Sequence, residues 1–190
     1  MVKKIPYGFS IIELLITLSI ASILVAFSIP ALNTIYQKNK SATEINRYLS
    51  LITFARQTAV ANGKYVSVCA LDEFDICGQD WSNGVVIFSD DNVNGALDNN
   101  EDVYRIFERD SNTGFFTLNA SLNSNYINFD PLGTSFRKNI SGNLVYCSKV
   151  NSTENSRALI FSRSGRVYLA QDNNNNGIPE NGSGEDISCG

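Results

Sequence analysis

From Leu14 to Gln37 the chain carries no charged side chain, in the run LLITLSIASILVAFSIPALNTIYQ. At about 1.5 Å per residue a helix of this length crosses a hydrocarbon core of roughly 30 Å, so a membrane-spanning segment is the first expectation. One carboxylate, Glu13, stands at its front. An ionisable group at the edge of an apolar span costs on the order of 2 to 3 kcal/mol towards the bilayer centre, and it calls for a partner. Pro30 lies inside the run, where it removes a backbone donor and clashes with the carbonyl four residues earlier; a kink or loosening is expected there.

A secretory signal peptide places its small-residue cleavage site after the apolar stretch. Here the order is reversed: KKIPYG ends in Gly8, and Phe9 and Glu13 open the apolar run. This arrangement, over about residues 3–32, resembles the leader of type IV prepilins and of type II secretion pseudopilins. The resemblance implies that a prepilin peptidase cuts between Gly8 and Phe9 and methylates the new amino terminus on Phe9. It implies a leader over residues 1–8, a membrane and filament-core half of the helix over 9–36, and a head over 37–190. Other pilins would be the partners. In such a filament Glu13, one turn into the mature helix, can meet the amino group on Phe9 of a neighbour, which turns two buried liabilities into a charge-assisted pair. The helix around Pro30 would be locally unwound. An ordinary single-pass anchor is the plainer alternative. Lys3 and Lys4 on one side are matched by Lys38 and Lys40 on the other, so charge bias alone does not orient the span. The leader does: amino terminus in the cytoplasm, anchor in the inner membrane, head in the periplasm and later in a pilus or pseudopilus.

Some classes are disfavoured by composition. The net charge is −4 and there is no histidine, which removes the commonest general base and the commonest zinc ligand and makes a general nucleic-acid binder a poor fit. No G-x-S-x-G elbow is present either, so no nucleophile has an evident base and an enzyme is not expected. The four cysteines, Cys69, Cys77, Cys147 and Cys189, all follow the apolar run, as suits an oxidising compartment. Three pairings are open; Cys69 with Cys77 and Cys147 with Cys189 are favoured, the second tying the carboxyl end to a strand.

Beyond Tyr36 the apolar positions Ala42, Ile45, Leu49, Ile52, Ala55 and Ala59 recur at three- and four-residue intervals, while Lys38, Lys40, Glu44, Asn46, Arg47 and Gln57 take other faces. This is an amphipathic continuation of the helix, expected to end near Asn62 and Gly63. A helix over 9–62 would be on the order of 80 Å long. The runs KYVSVCA, GVVIF, VYRIF, FFTL, YINF, NLVYC, ALIF and RVYLA, separated by Gly, Asn, Asp and Ser, read as antiparallel strands. The fold expected is α+β: a pilin-like ladle, its long amino-terminal helix packed through Ile45, Leu49 and Ile52 on an antiparallel β-sheet head.

Within the head, Cys69 is followed by W-x-x-G at Trp81 to Gly84, a hydrophobic strand, an Asp/Asn/Gly loop ending in Glu101, and another strand; INFDPLG and SRSGRVYLA come later. This resembles the GspH/FimT/FimU group of minor pilins and pseudopilins. The resemblance implies a minor subunit that helps start or cap a type IV pilus, with an H-type pseudopilin of a type II secretion system as the alternative.

The same loop satisfies D-x-[DN]-x-[DN]-G-x5-E through Asp90, Asn92, Asn94, Gly95, Asp98 and Glu101, a pattern whose oxygens can wrap calcium. The alternative is an Asx-rich turn in which Asn and Asp serve backbone donors. A second loop, Asp172, Asn174, Asn176, Gly177 and Glu180, has Ser183 where the twelfth-position glutamate belongs. Trp81 reads as core rather than ligand platform. Arg137, Lys138, Lys149, Arg157, Arg163 and Arg166 are the cations that would touch DNA in an uptake subunit; scattered solvated charges are the simpler account.

Overall fold

The computed structural model describes residues 10–72, 77–110, 114–121, 124–135, 141–148 and 155–189, with the side chains of residues 29–31 and 34 left aside. The chain divides into two compact units, one reaching Gln37 and one from Lys38 onward.

A single helix, α1 (Ile11–Asn62), begins in the first unit and continues into the second. It runs without a break through position 30 in the single chain, whereas the unwinding expected around Pro30 belongs to the assembled filament. The far end is a Schellman turn: Gly63 adopts φ +62° and the Lys64 N–H donates to the Ala59 carbonyl at 3.2 Å, which satisfies an otherwise orphaned end of the helix.

In the second unit α1 meets two antiparallel sheets. The first contains β1 (Val66–Leu71), β2 (Cys77–Gly78), β3 (Gly84–Ser89), β4 (Val103–Glu108) and β6 (Tyr126–Phe129). Here β1 is central, with β3 and then β4 on one side and β2 and β6 on the other. The second runs β5 (Phe115–Ala120), β7 (Gly142–Cys147), β8 (Arg157–Phe161), β9 (Val167–Leu169) in that order. Every predicted run holds a strand. The two-residue β2 was not foreseen, because nothing in Cys77–Gly78 carries β propensity.

Ile45, Ile52, Ala55 and Ala59 of α1 are buried against Val66, Val68, Val85, Ile87, Ile127, Leu144 and Leu159 from both sheets. The buried stripe is rotated from the one the spacing predicts. Tyr48 and Leu51 are in it, whereas Leu49 is only half-buried. Tyr48 stacks on Phe116 with ring centroids 4.0 Å apart, and its hydroxyl donates to the Trp81 carbonyl. A tyrosine can enter a core when its polar end finds such a partner. Burial also drives its phenol far above the ordinary range. Arg109 fixes the same region: its Nε donates to Glu44 Oε2 at 2.9 Å, with both side chains largely buried, and Nη1 reaches the carbonyls of Ser82 and Gly114 at 2.9 and 3.0 Å. A buried pair satisfied on this scale costs about 3 to 5 kcal/mol to break from one side.

β1 and β3 are buried along their whole length, so both faces of the first sheet are covered at these two strands, while β4 at its edge stays largely exposed. Alternate residues explain it. Val66, Val68, Val85 and Ile87 face α1, while Cys69, Leu71, Val86 and Phe88 form a second cluster with Cys77, Leu97 and Tyr126. The second sheet repeats the arrangement: Val145, Cys147 and Ala158 are covered by Ile178, Ile187 and Cys189.

Candidate functional site

The first candidate is the helix before residue 38. Ile11–Ser28 is long and apolar enough to cross a membrane, with mean hydropathy 2.3 and none of the window buried. Apolar side chains face outward all round it: Ile11, Leu15, Leu18, Leu24 and Phe27 are all exposed. Its hydroxyls are turned inward to the backbone. Thr17 donates to the Leu14 carbonyl at 2.9 Å, and Ser19, Ser22 and Ser28 donate to those of Leu15, Ser19 and Leu24 at 2.8 Å each. A helix that satisfies its own hydroxyls presents lipid or a neighbouring helix with few unpaired donors, which is what a dry environment demands. Glu13 occupies the first turn and is exposed, where its charge also suits the helix N-terminus. Gly8 and Phe9 lie outside the described residues.

The remaining predicted sites fall on the outer faces of the two sheets. Cys69 is bonded to Cys77 and Cys147 to Cys189. Each disulfide lies beside a D-x-N-x-N-G loop, and the two loops share one hydrogen-bond plan. In the first, Asp90 accepts from the N–H groups of Asn94 and Gly95 at 2.9 and 3.0 Å, Asn92 Oδ1 from Asn94 at 3.0 Å, and Asn94 Oδ1 from Ala96 at 2.7 Å. In the second, Asp172 accepts from Asn176 and Gly177 at 3.1 and 2.8 Å, Asn174 Oδ1 from Asn176 at 2.9 Å, and Asn176 Oδ1 from Ile178 at 2.8 Å.

Closure is where they part. Asn92 and Asn94 turn their Nδ2 groups to Asp98 Oδ2 at 2.7 and 2.9 Å, and Glu101 accepts from the N–H groups of Asp91 and Asp98 at 3.1 and 3.0 Å. The second loop draws Asn174 and Asn176 onto Asp186, at 3.2 and 2.7 Å, and gives the Asn173 N–H to Glu180 at 2.8 Å. Asp186 was not among the predicted residues, since it falls outside the twelve-residue pattern.

These contacts weigh on the calcium expectation. Asp90, Asn92, Asn94, Asp98 and Glu101 are indeed brought together, but the amides present nitrogen to Asp98 and the carboxylates accept N–H groups. Among the described residues no three or more His, Cys, Asp or Glu side chains form a metal cage. Both loops are Asx turns, the first closed by its own Asp98 and Glu101 and the second by Asp186, which lies beyond it. Burial, with Asp90 and Asp98 close by, raises the Glu101 carboxyl above its ordinary value.

Trp81 is 1% exposed and belongs to the core. Arg163 and Arg166 are exposed on the β8–β9 turn, where Arg166 lies over the Tyr168 ring at 5.0 Å. Arg157 is half-buried, and Arg137, Lys138 and Lys149 lie outside the described residues. The Glu44–Arg109 pair had one sequence signal, Glu44 being the lone acid of residues 38–62.

An apolar anchor helix continuing into an α+β head with two antiparallel sheets defines the pilin class of fold. The family model described as type II transport protein GspH matches residues 44–165, and the chain belongs to that family. A prokaryotic N-terminal methylation motif matches residues 6–29. Among solved structures, the type IV minor pilin FimU of Pseudomonas aeruginosa is similar at TM-score 0.54 and 20% identity, over 70% of this chain and 90% of that one. A second crystal form of FimU gives 0.49 and 21% over 70% and 92%. Comparison with curated proteins returns no match.

Proposed function

We propose that the chain is a minor pilin: a non-enzymatic structural subunit, cut between Gly8 and Phe9 by a prepilin peptidase and methylated on Phe9. It is held in the inner membrane by the apolar half of α1 with its head in the periplasm, and built among other pilins into a type IV pilus at initiation or at the tip. The observation that carries this is the helix over residues 11–28, apolar on every side with its hydroxyls satisfied internally. Such a surface suits lipid first and neighbouring helices afterwards. Glu13 supplies the register by pairing with a neighbour's Phe9 amino group. No cofactor is required in this reading. The match to the GspH model supports a second reading, an H-type pseudopilin, which builds the same core in a secretion machine.

Mass spectrometry of the protein from membranes tests the processing: the expected first residue is methylated Phe9, and an intact leader or a cut beyond Pro30 overturns the proposal. A deletion strain separates the two readings. Loss of surface pili with secretion intact supports the minor pilin, and the reverse supports the pseudopilin.

A further inference from the structure

The carboxyl-terminal segment after β9 acts as a strap across the second sheet. It is pinned by Cys147–Cys189 and by Ile178 and Ile187 over Val145, Cys147 and Ala158. The strap covers β7 and β8 and stops short of β5, the edge strand, whose outward residues Phe115, Thr117 and Asn119 remain exposed. Between strap and edge strand lies an open groove of about 310 Å³, with Thr117, Asn119 and Asn143 on the sheet side and Asn181, Asp186 and Ser188 on the strap side; Val145 and Ile187 close it beneath. A second depression of about 450 Å³ adjoins it at Asn119 and reaches Ser124 and Asn125.

The lining narrows the ligand. Among the described residues no lysine or arginine lines either depression, which disfavours phosphates and carboxylates. Asp186, the carboxylate among the described lining residues, already accepts the Asn174 and Asn176 amides on its two oxygens. What remains is neutral: amides and hydroxyls that both donate and accept. Asn119 and Asn143 are directly opposed across β5 and β7, and Asn119 Nδ2 donates to Asn143 Oδ1 at 3.1 Å. That bond fixes both amides and leaves one acceptor, Asn119 Oδ1, beside one donor group, Asn143 Nδ2. Two adjacent hydroxyls, one donating and one accepting, match this pair, and strands hold it more firmly than loops would. The volume is at the small end of ligand sites, roughly 300 to 1,000 Å³. We infer that this groove binds neutral carbohydrate, a hexose or short oligosaccharide presenting vicinal hydroxyls.

The test uses the full chain in a phosphocholine detergent, which carries no sugar, on a panel of neutral, sulfated and sialylated oligosaccharides followed by titration. Neutral glycans are expected to bind, and to stay bound in about 0.5 M salt, where surface charge is largely screened. Asn119→Ala should weaken binding about tenfold or more, and Thr117→Tyr, which fills the groove from an exposed position, should abolish it. Arg163→Ala with Arg166→Ala should change nothing. Failure to retain any neutral glycan, binding confined to anionic glycans and lost in salt, or binding indifferent to both groove variants overturns the inference. Phe9 methylation and pilus incorporation should be unaffected by the groove variants, so this outcome is separate from that of the minor-pilin proposal.

Discussion

The two D-x-N-x-N-G loops have the same first half and different second halves. In both, the leading Asp and the two Asn residues serve the same N–H groups, and the fourth and sixth residues take positive φ: Val93 at 57° and Gly95 at 76°, Asn175 at 60° and Gly177 at 90°. In both, a residue just beyond the turn covers a disulfide on the outer face of a sheet, Leu97 over Cys69–Cys77 and Ile178 over Cys147–Cys189. Yet Asp90 is 0% exposed and also takes the Ser67 hydroxyl at 2.6 Å, whereas Asp172 is half-buried. The first loop is closed from within by Asp98 and Glu101, the second from outside by Asp186. The six-residue motif therefore specifies the turn, and the surrounding sheet decides how much stability depends on it.

Removing the disulfides should affect the two regions unequally. Their loops span 8 and 42 residues, so chain entropy predicts losses of about 2.5 kcal/mol for Cys69→Ala with Cys77→Ala and about 4 kcal/mol for Cys147→Ala with Cys189→Ala. Denaturant melts of the two double variants measure this, and equal losses would break the comparison. Next come the glycines. A Cβ on Gly95 would fall 2.2 Å from the Tyr126 ring, whereas Gly177 has open space. Gly95→Ala should cost about 3 kcal/mol, from strain plus displacement of the ring, and Gly177→Ala about 1 kcal/mol from strain alone.

Val93 gives a smaller effect of opposite sign. A β-branched residue at positive φ is strained, so Val93→Gly should stabilise the head by about 1 kcal/mol, read as a rise in melting midpoint; Asn175→Gly should gain less, because asparagine tolerates that conformation. Calcium is expected to matter least. Millimolar calcium or chelator should leave the midpoint within about 1 °C, since ligand stabilisation needs a site that binds the native state. A rise of several degrees that Asp98→Asn removes would make 90–101 a metal site and set the two loops apart in function as well.

The anchor and the strands could be read from the sequence because their signals are local: an uncharged run, alternating β-branched residues, Gly63 after the last helical turn. The partners that complete the site lie far along the chain. Tyr48 is buried because a carbonyl 33 residues away takes its hydroxyl, and Glu44 because Arg109, 65 residues on, donates to its carboxylate. Spacing on one helix contains neither fact. Asp186 escaped for a related reason: a fixed twelve-residue pattern looks for the closing acid inside the loop, and the second loop takes it from the strap.

The rotated stripe on α1 has a consequence for synthesis. Ile45, Tyr48 and Ile52 share their core with residues as late as Leu159 and Phe161, so loops of more than a hundred residues must close before the stripe is fully covered, a cost that slows folding. The helix leaves the ribosome first and is completed last. Until β8 arrives its apolar side is available to any other surface, so for this head the order of synthesis is itself a hazard that the finished fold conceals.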